Sequence, residues 1–196
     1  MKPNSKSNAV LTLVLAIAIA ATGCSAQWIN IALQDLPVLT QMSLNTATLV
    51  STLASGKQPA LPTSQLFRTS QAQASRDLNL LQTLYSEYKA NPSGTTLAKI
   101  QNVISDLNQN LPALLQSAHI SNAVLSARVT AAVNLILTTV NGFASLMPQS
   151  PTAASAGART RSLPRPKDLK QQWNQQVCAS TGNASADKAF AQSVLR

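Results

Sequence analysis

Apolar residues recur three and four positions apart over most of this chain, the spacing of a helix with one buried face. The first such series is Leu39, Met42, Thr46, Leu49 and Leu53. Asp35 stands where it can cap, Pro37 falls where a first turn tolerates proline, and Gly56 follows the last turn. The spacing therefore predicts a helix over residues 36–55, preceded by a lead-in from Trp28 to Gln34. Pro59 and Pro62 keep the connector Lys57–Pro62 from being helical throughout. Thr63 or Ser64 opens a second helix carrying Phe67, Ser70, Ala74, Leu78, Leu81, Tyr85 and Tyr88, which ends at the turn Asn91–Gly94. A third begins at Thr95 or Thr96 with the most regular stripe in the chain: Leu97, Ile100, Ile104, Leu107 and Leu111. Pro112 predicts a kink or restart before this helix ends near His119. The fourth opens at Ser121 or Asn122 and presents Leu125, Val129, Ala132, Val133, Ile136, Val140, Phe143 and Met147.

Pro148 closes the periodic region. Residues 148–166 are rich in Pro, Ala, Ser and Arg without apolar spacing, which predicts a linker. Beyond it lie two short stripes, Leu169, Trp173 and Val177, then Ala186, Phe190 and Val194 after a cap at Ser185. The expected fold is all-α: an up-and-down bundle of about four helices over 36–147, with a flexible basic tail over 167–196 holding one or two short helices. Helices this short must dock on something or stay partly ordered.

Composition agrees with close helix packing. Only 11% of residues are charged and 4% aromatic, so the core is built of Leu, Val, Ile and Ala and the surface of Gln, Asn, Ser and Thr. The net charge of +9 is unevenly spread: residues 25–147 carry six basic and four acidic groups, residues 148–196 seven basic and two acidic. Val129–Met147 is hydrophobic enough to raise a membrane question, but Asn134, Asn141 and Gly142 interrupt it, favouring burial in a bundle.

The N-terminus changes where all this is expected to work. Lys2 and Lys6 form a short basic region, Ala9–Ala21 is apolar apart from Thr12, and Ala21-Thr22-Gly23-Cys24 follows. Thirteen residues give roughly 20 Å of helix, short of the roughly 30 Å of a bilayer core, so a secretory signal over residues 1–23 is the better reading. The Ala-Thr-Gly-Cys ending resembles the lipobox of bacterial lipoproteins, although Ala21 stands where Leu is usual. The resemblance implies acylation of Cys24, cleavage before it, and a chain held on a membrane by acyl chains, facing periplasm or cell surface, with 24–35 as lipidated lead-in. Ordinary cleavage after Ala26 would instead give a soluble exported protein without Cys24.

Chemistry is sparse. One Glu, one His and two Cys cannot furnish a carboxylate-bridged di-iron site or a four-ligand zinc site, and phosphate-loop, dinucleotide and nucleophile-elbow motifs are absent. No cofactor, metal or enzymatic activity is expected. His119 and the pair Tyr85 and Tyr88 read as structural or surface groups, and Trp28 suits a core anchor or a membrane interface equally. Cys178 lacks a partner in its own chain if Cys24 is acylated; it is then either an inert half-buried thiol or one that pairs between chains. Arg159, Arg161, Arg165, Lys167 and Lys170 form either a solvated linker or a contact for anionic lipid or envelope polymer. No aromatic residues interleave with them and the chain carries an export signal, so nucleic acid is not expected. These residues point to a binding or structural role at the cell envelope.

Overall fold

The computed structural model describes residues 5–54, 61–118, 120, 122–147, 163–182 and 184–196. Side chains are described from Trp28 onward, apart from those of 53–54, 61–68, 70, 71, 114, 117, 118 and 185. Every regular element among these residues is helical: α1 (Ser5–Ala54), α2 (Leu61–Ala90), α3 (Gly94–Ala118), α4 (Ala123–Ala144), α5 (Pro166–Gln176) and α6 (Ala184–Gln192). The first four form the expected bundle, in which α1 packs on α2 and α4, and α3 closes the ring against α2 and α4.

Short connections force antiparallel neighbours, and the polar pairs bear this out. Around the turn at Asn91, Thr96 Oγ1 donates to Glu87 Oε1 at 2.7 Å and Asn110 Nδ2 reaches Asp77 Oδ2 at 3.4 Å, each pair about equally far from the turn. The cap of α3 is Ser93, one turn before Thr96, because its Oγ accepts the Thr96 N–H at 3.1 Å. Asn122 caps α4 by accepting from the backbones of Val124 and Leu125.

The apolar stripes meet in one core. Leu39, Met42, Leu78, Leu81, Ile100, Leu107, Ile136 and Phe143 are all buried there. Across it runs an aromatic chain: Trp28 meets Tyr85 edge to face with centroids 5.6 Å apart, and Tyr85 meets Phe143 likewise at 6.4 Å. Tyr85 and Tyr88 are thus packing residues, and Trp28 is a core anchor. By length and composition α4 could cross a bilayer. Its residues Val129, Val133, Ile136, Val140 and Phe143 are nevertheless buried against other helices, while Asn134 points outward and Asn141 exchanges hydrogen bonds of 2.9 and 3.0 Å with Asn108 of α3. Gly142 brings Leu163 close, since a Cβ there would lie 3.3 Å from Leu163 Cδ2.

Three expectations need correction. The lead-in Trp28–Gln34 is helical, so the first helix does not begin near residue 36; Trp28, Ile29 and Ala32 are buried in the core and Pro37 lies inside α1. That proline forfeits one hydrogen bond, to the Leu33 carbonyl, but it is exposed, and core packing on both sides of it outweighs the loss. In α3, similarly, the helix continues through Pro112 to Ala118 without a restart.

The larger correction concerns the tail. Leu169, Trp173 and Val177 are fully buried and belong to the same core as α1–α4, and Phe190 joins them at 1% exposure. Residues 167–196 are therefore not a flexible appendage: α5 lies on α1 and α4, and α6 on α1. Val194, assigned to the buried stripe of α6, is 43% exposed, whereas Ala189 and Leu195 are buried. The helix ends at Gln192, so its spacing no longer governs residue 194. Residues 148–162 of the expected linker lie outside the described residues.

Trp173→Ala should cost about 3–5 kcal/mol, a large part of a typical stability of about 5–15 kcal/mol. Urea titrations followed by far-ultraviolet circular dichroism should show the whole helical signal moving to lower urea in one transition. An unchanged midpoint for most of that signal would mean that the tail folds separately.

Candidate binding surface at the C-terminal seam

The seam between the bundle and its C-terminal helices begins where the chain re-enters at Leu163. Pro166 occupies the first position of α5, and Asp168, one turn on, accepts the Arg165 N–H at 3.1 Å. At the other end, Arg128 of α4 donates to the Gln176 carbonyl at 2.8 Å, placing a cation where the helix dipole favours it. The turn into α6 is held by Asp187, which accepts from the backbone and hydroxyl of Thr181, each at 2.7 Å, and from the Ser180 hydroxyl at 3.0 Å. Those bonds keep its carboxyl below the usual carboxylate range. Gly182, at φ 75°, supplies the left-handed residue this turn needs.

Two open grooves flank α5. The first, about 460 Å³, lies against α4 and is lined by Thr138, Gly142, Leu163, Arg165, Asp168 and Gln172. A second, about 450 Å³, lies against α1 and is lined by Val38, Gln41, Asn45, Lys170 and the last residues of the chain. Neither groove holds an imidazole or a thiol among the residues that line it.

The basic candidates divide. Arg165 and Lys167 stand exposed at the start of α5, with Asp168 beside them offsetting part of their charge. Lys170 is half-buried and its ammonium donates to the Arg196 carbonyl, so it is engaged within the fold. Arg159 and Arg161 lie outside the described residues, as does His119. Cys24 falls within the helical backbone of α1, four residues before Trp28, while its side chain lies outside the described set. Cys178 is a half-buried free thiol at the end of α5, raised above its ordinary pKa by burial. Among the described residues no group of three or more His, Cys, Asp or Glu side chains comes together.

One group was misread from sequence. Asp35, expected to cap, is completely buried inside α1, and neither of its carboxylate oxygens has a hydrogen-bond partner. Burial, and secondarily the Asp168 carboxylate across the seam, pushes its pKa up to about 7. A signal was present: Trp28, Ala32, Asp35, Leu39, Met42, Thr46 and Leu49 are spaced 4, 3, 4, 3, 4 and 3 apart, which puts the aspartate on the core stripe. Taking Pro37 as a helix start hid it.

No family model matches this chain, and neither a curated protein nor a solved structure matches it. What the geometry defines is a class: an all-α bundle of four helices with two C-terminal helices packed onto its first and fourth members.

The pKa of Asp35 sets a pH dependence. The folded protein retains up to about 7 a proton that the unfolded chain releases near 3.8. The resulting stability is present below about pH 4 and is lost as pH rises towards and through 7, at up to about 1.4 kcal/mol per pH unit. Asp35→Asn should flatten this slope and stabilise the protein at pH 8, as measured by urea unfolding between pH 4.5 and 8. Asp77, also raised by burial, adds a slope of the same sign, so some dependence should persist.

Proposed function

We propose that this is an exported protein, anchored to a membrane through acyl chains on Cys24, whose helical bundle serves a binding or structural role at the cell envelope. The observation that carries the reading is the run from Lys2 to Cys24: basic residues, an apolar segment too short to span comfortably, and a lipobox-like ending. The position of Trp28 adds a mechanical consequence. Cys24 lies four positions before this buried anchor on the same helix, about 6 Å along the axis. A lipid on Cys24 would hold the bundle directly against the bilayer surface, with no free tether between.

The binding half of the proposal rests on the seam. Its grooves are lined by polar side chains alongside apolar ones, and exposed Arg165 and Lys167 suit an anionic headgroup or envelope polymer.

Two or three acyl chains at about 0.8 kcal/mol per buried methylene should keep the protein in the membrane fraction through a salt wash. Cys24→Ala should move it to the soluble fraction. Mass spectrometry of the mature N-terminus should find Cys24 first and acylated; a chain beginning at Gln27 would overturn the anchor.

A further inference from the structure

An anchor at Cys24 fixes more than location, because α1 leaves the core beside one particular turn. Trp28, where the described side chains of α1 begin, is buried, and its ring meets that of Tyr85 edge to face with centroids 5.6 Å apart. From this contact α1 runs back to Cys24 and α2 runs on to Lys89, four positions or about 6 Å in each case. The two helices are antiparallel, so both steps lead the same way. Cys24 and the turn from α2 into α3 therefore share one end of the bundle. The apolar run Ala9–Ala21 continues the same helix beyond Cys24 and departs from this end as well.

The turn presents a polar and basic face. Lys89, Ala90, Asn91, Pro92, Gly94 and Thr95 are exposed, and so is Lys99 one helical turn further on. Glu87 is the only carboxylate in residues 87–99, and it is engaged, accepting from the Thr96 hydroxyl at 2.7 Å. The backbone of the turn is fixed at both ends: the Asn91 N–H donates to the Glu87 carbonyl at 2.9 Å and the Leu97 N–H to the Ser93 carbonyl at 3.1 Å. This surface belongs to α2 and α3 and is separate from the seam around α5.

We propose that the turn Lys89–Thr95, with Lys99 behind it, is the face of the bundle that lies on the bilayer, and that its two ammonium groups take the phosphates of anionic lipids. The proposal rests on the anchor at Cys24 and adds an orientation to it. Charge complementarity and the exit of α1 beside this turn both select the membrane as its partner. Each lysine contributes about fivefold in affinity at such a surface. The opposite end of the bundle is held clear of lipid. There Val124, 52% exposed, precedes Phe143 by 19 positions, about 28 Å along α4 and away from the turn.

The test uses the acylated full-length product carrying Cys178→Ser and one added thiol, Asn91→Cys or Val124→Cys, labelled with bimane. Acylated Cys24 takes no label. The protein is reconstituted into phosphatidylcholine vesicles, with or without phosphatidylglycerol, that contain a lipid spin-labelled at its headgroup as a contact quencher. Quenching should be strong at position 91 and near background at position 124. Phosphatidylglycerol should increase it at 91, and Lys89→Gln together with Lys99→Gln should remove that increase, as should about 1 M salt, where the screening length is about 3 Å. If a label at 91 alters the circular dichroism of the protein, Thr95→Cys takes its place. In a chain that floats with the vesicles, equal quenching at the two positions, or more at 124, overturns the orientation. A phosphatidylglycerol effect indifferent to both lysines overturns the headgroup contact. A chain left behind when the vesicles float overturns the anchor and this face together, so flotation tells the two failures apart.

Discussion

The structure depends on one apolar stripe of α1. From Trp28 to Leu49 it presents a residue to the core every three or four positions, and α1 touches each of the other five helices. Helices with so little charge gain little from ion pairs along their own surfaces. Their hydroxyls bond back instead, as Thr40, Thr46, Thr83 and Thr139 do to carbonyls four residues earlier. Stability must then come from burial, which is shared between the faces that α2, α4, α5 and α6 lay on α1 and the extensive contact of α2 with α3. The aromatic chain from Trp28 through Tyr85 to Phe143 ties the start of the α1 core stripe to the last turn of α4 by way of α2.

This arrangement accepts local costs. The Tyr85 hydroxyl is buried without a partner, as is the Asp35 carboxyl, each a penalty on the order of 1–3 kcal/mol or more. Both groups sit at crowded positions of the stripe or directly against it. Burial favours the neutral form of Asp35, and the Asp168 carboxylate of α5 adds to the same preference. The docking of α5 brings Lys170, Trp173 and Asn174 beside Asn45, so the C-terminal groove exists only because α5 is part of the core.

Much of the bundle was legible in the chain. The stripes of α2, α3 and α4, the cap at Asn122, the turn at Asn91 and the short stripe of Leu169, Trp173 and Val177 are all local signals. Periodicity and capping depend on residues within one or two turns, and sequence displays them directly. Proline was the weak guide. Pro37 reads as a first-turn residue by local rules and lies mid-helix in fact, because Trp28, Ile29 and Ala32 have partners across the core that local rules do not see. The candidate surface was less legible: Lys170 belonged to a basic run in sequence, but in space it is spent on the Arg196 carbonyl.

By itself the sequence determined the all-α class, the faces that would be buried and the basic bias of the last fifty residues. Those follow from residue type and spacing, which are properties of a one-dimensional pattern. Only the tertiary structure decided that the tail is core, that Asp35 is enclosed without a partner, and that Asn45 and Asn174, 129 positions apart by number, bond to the same C-terminal segment. These are questions of which apolar faces find each other. A short amphipathic helix in sequence carries a stripe that needs a partner, and nothing in its own spacing says which groove will supply one.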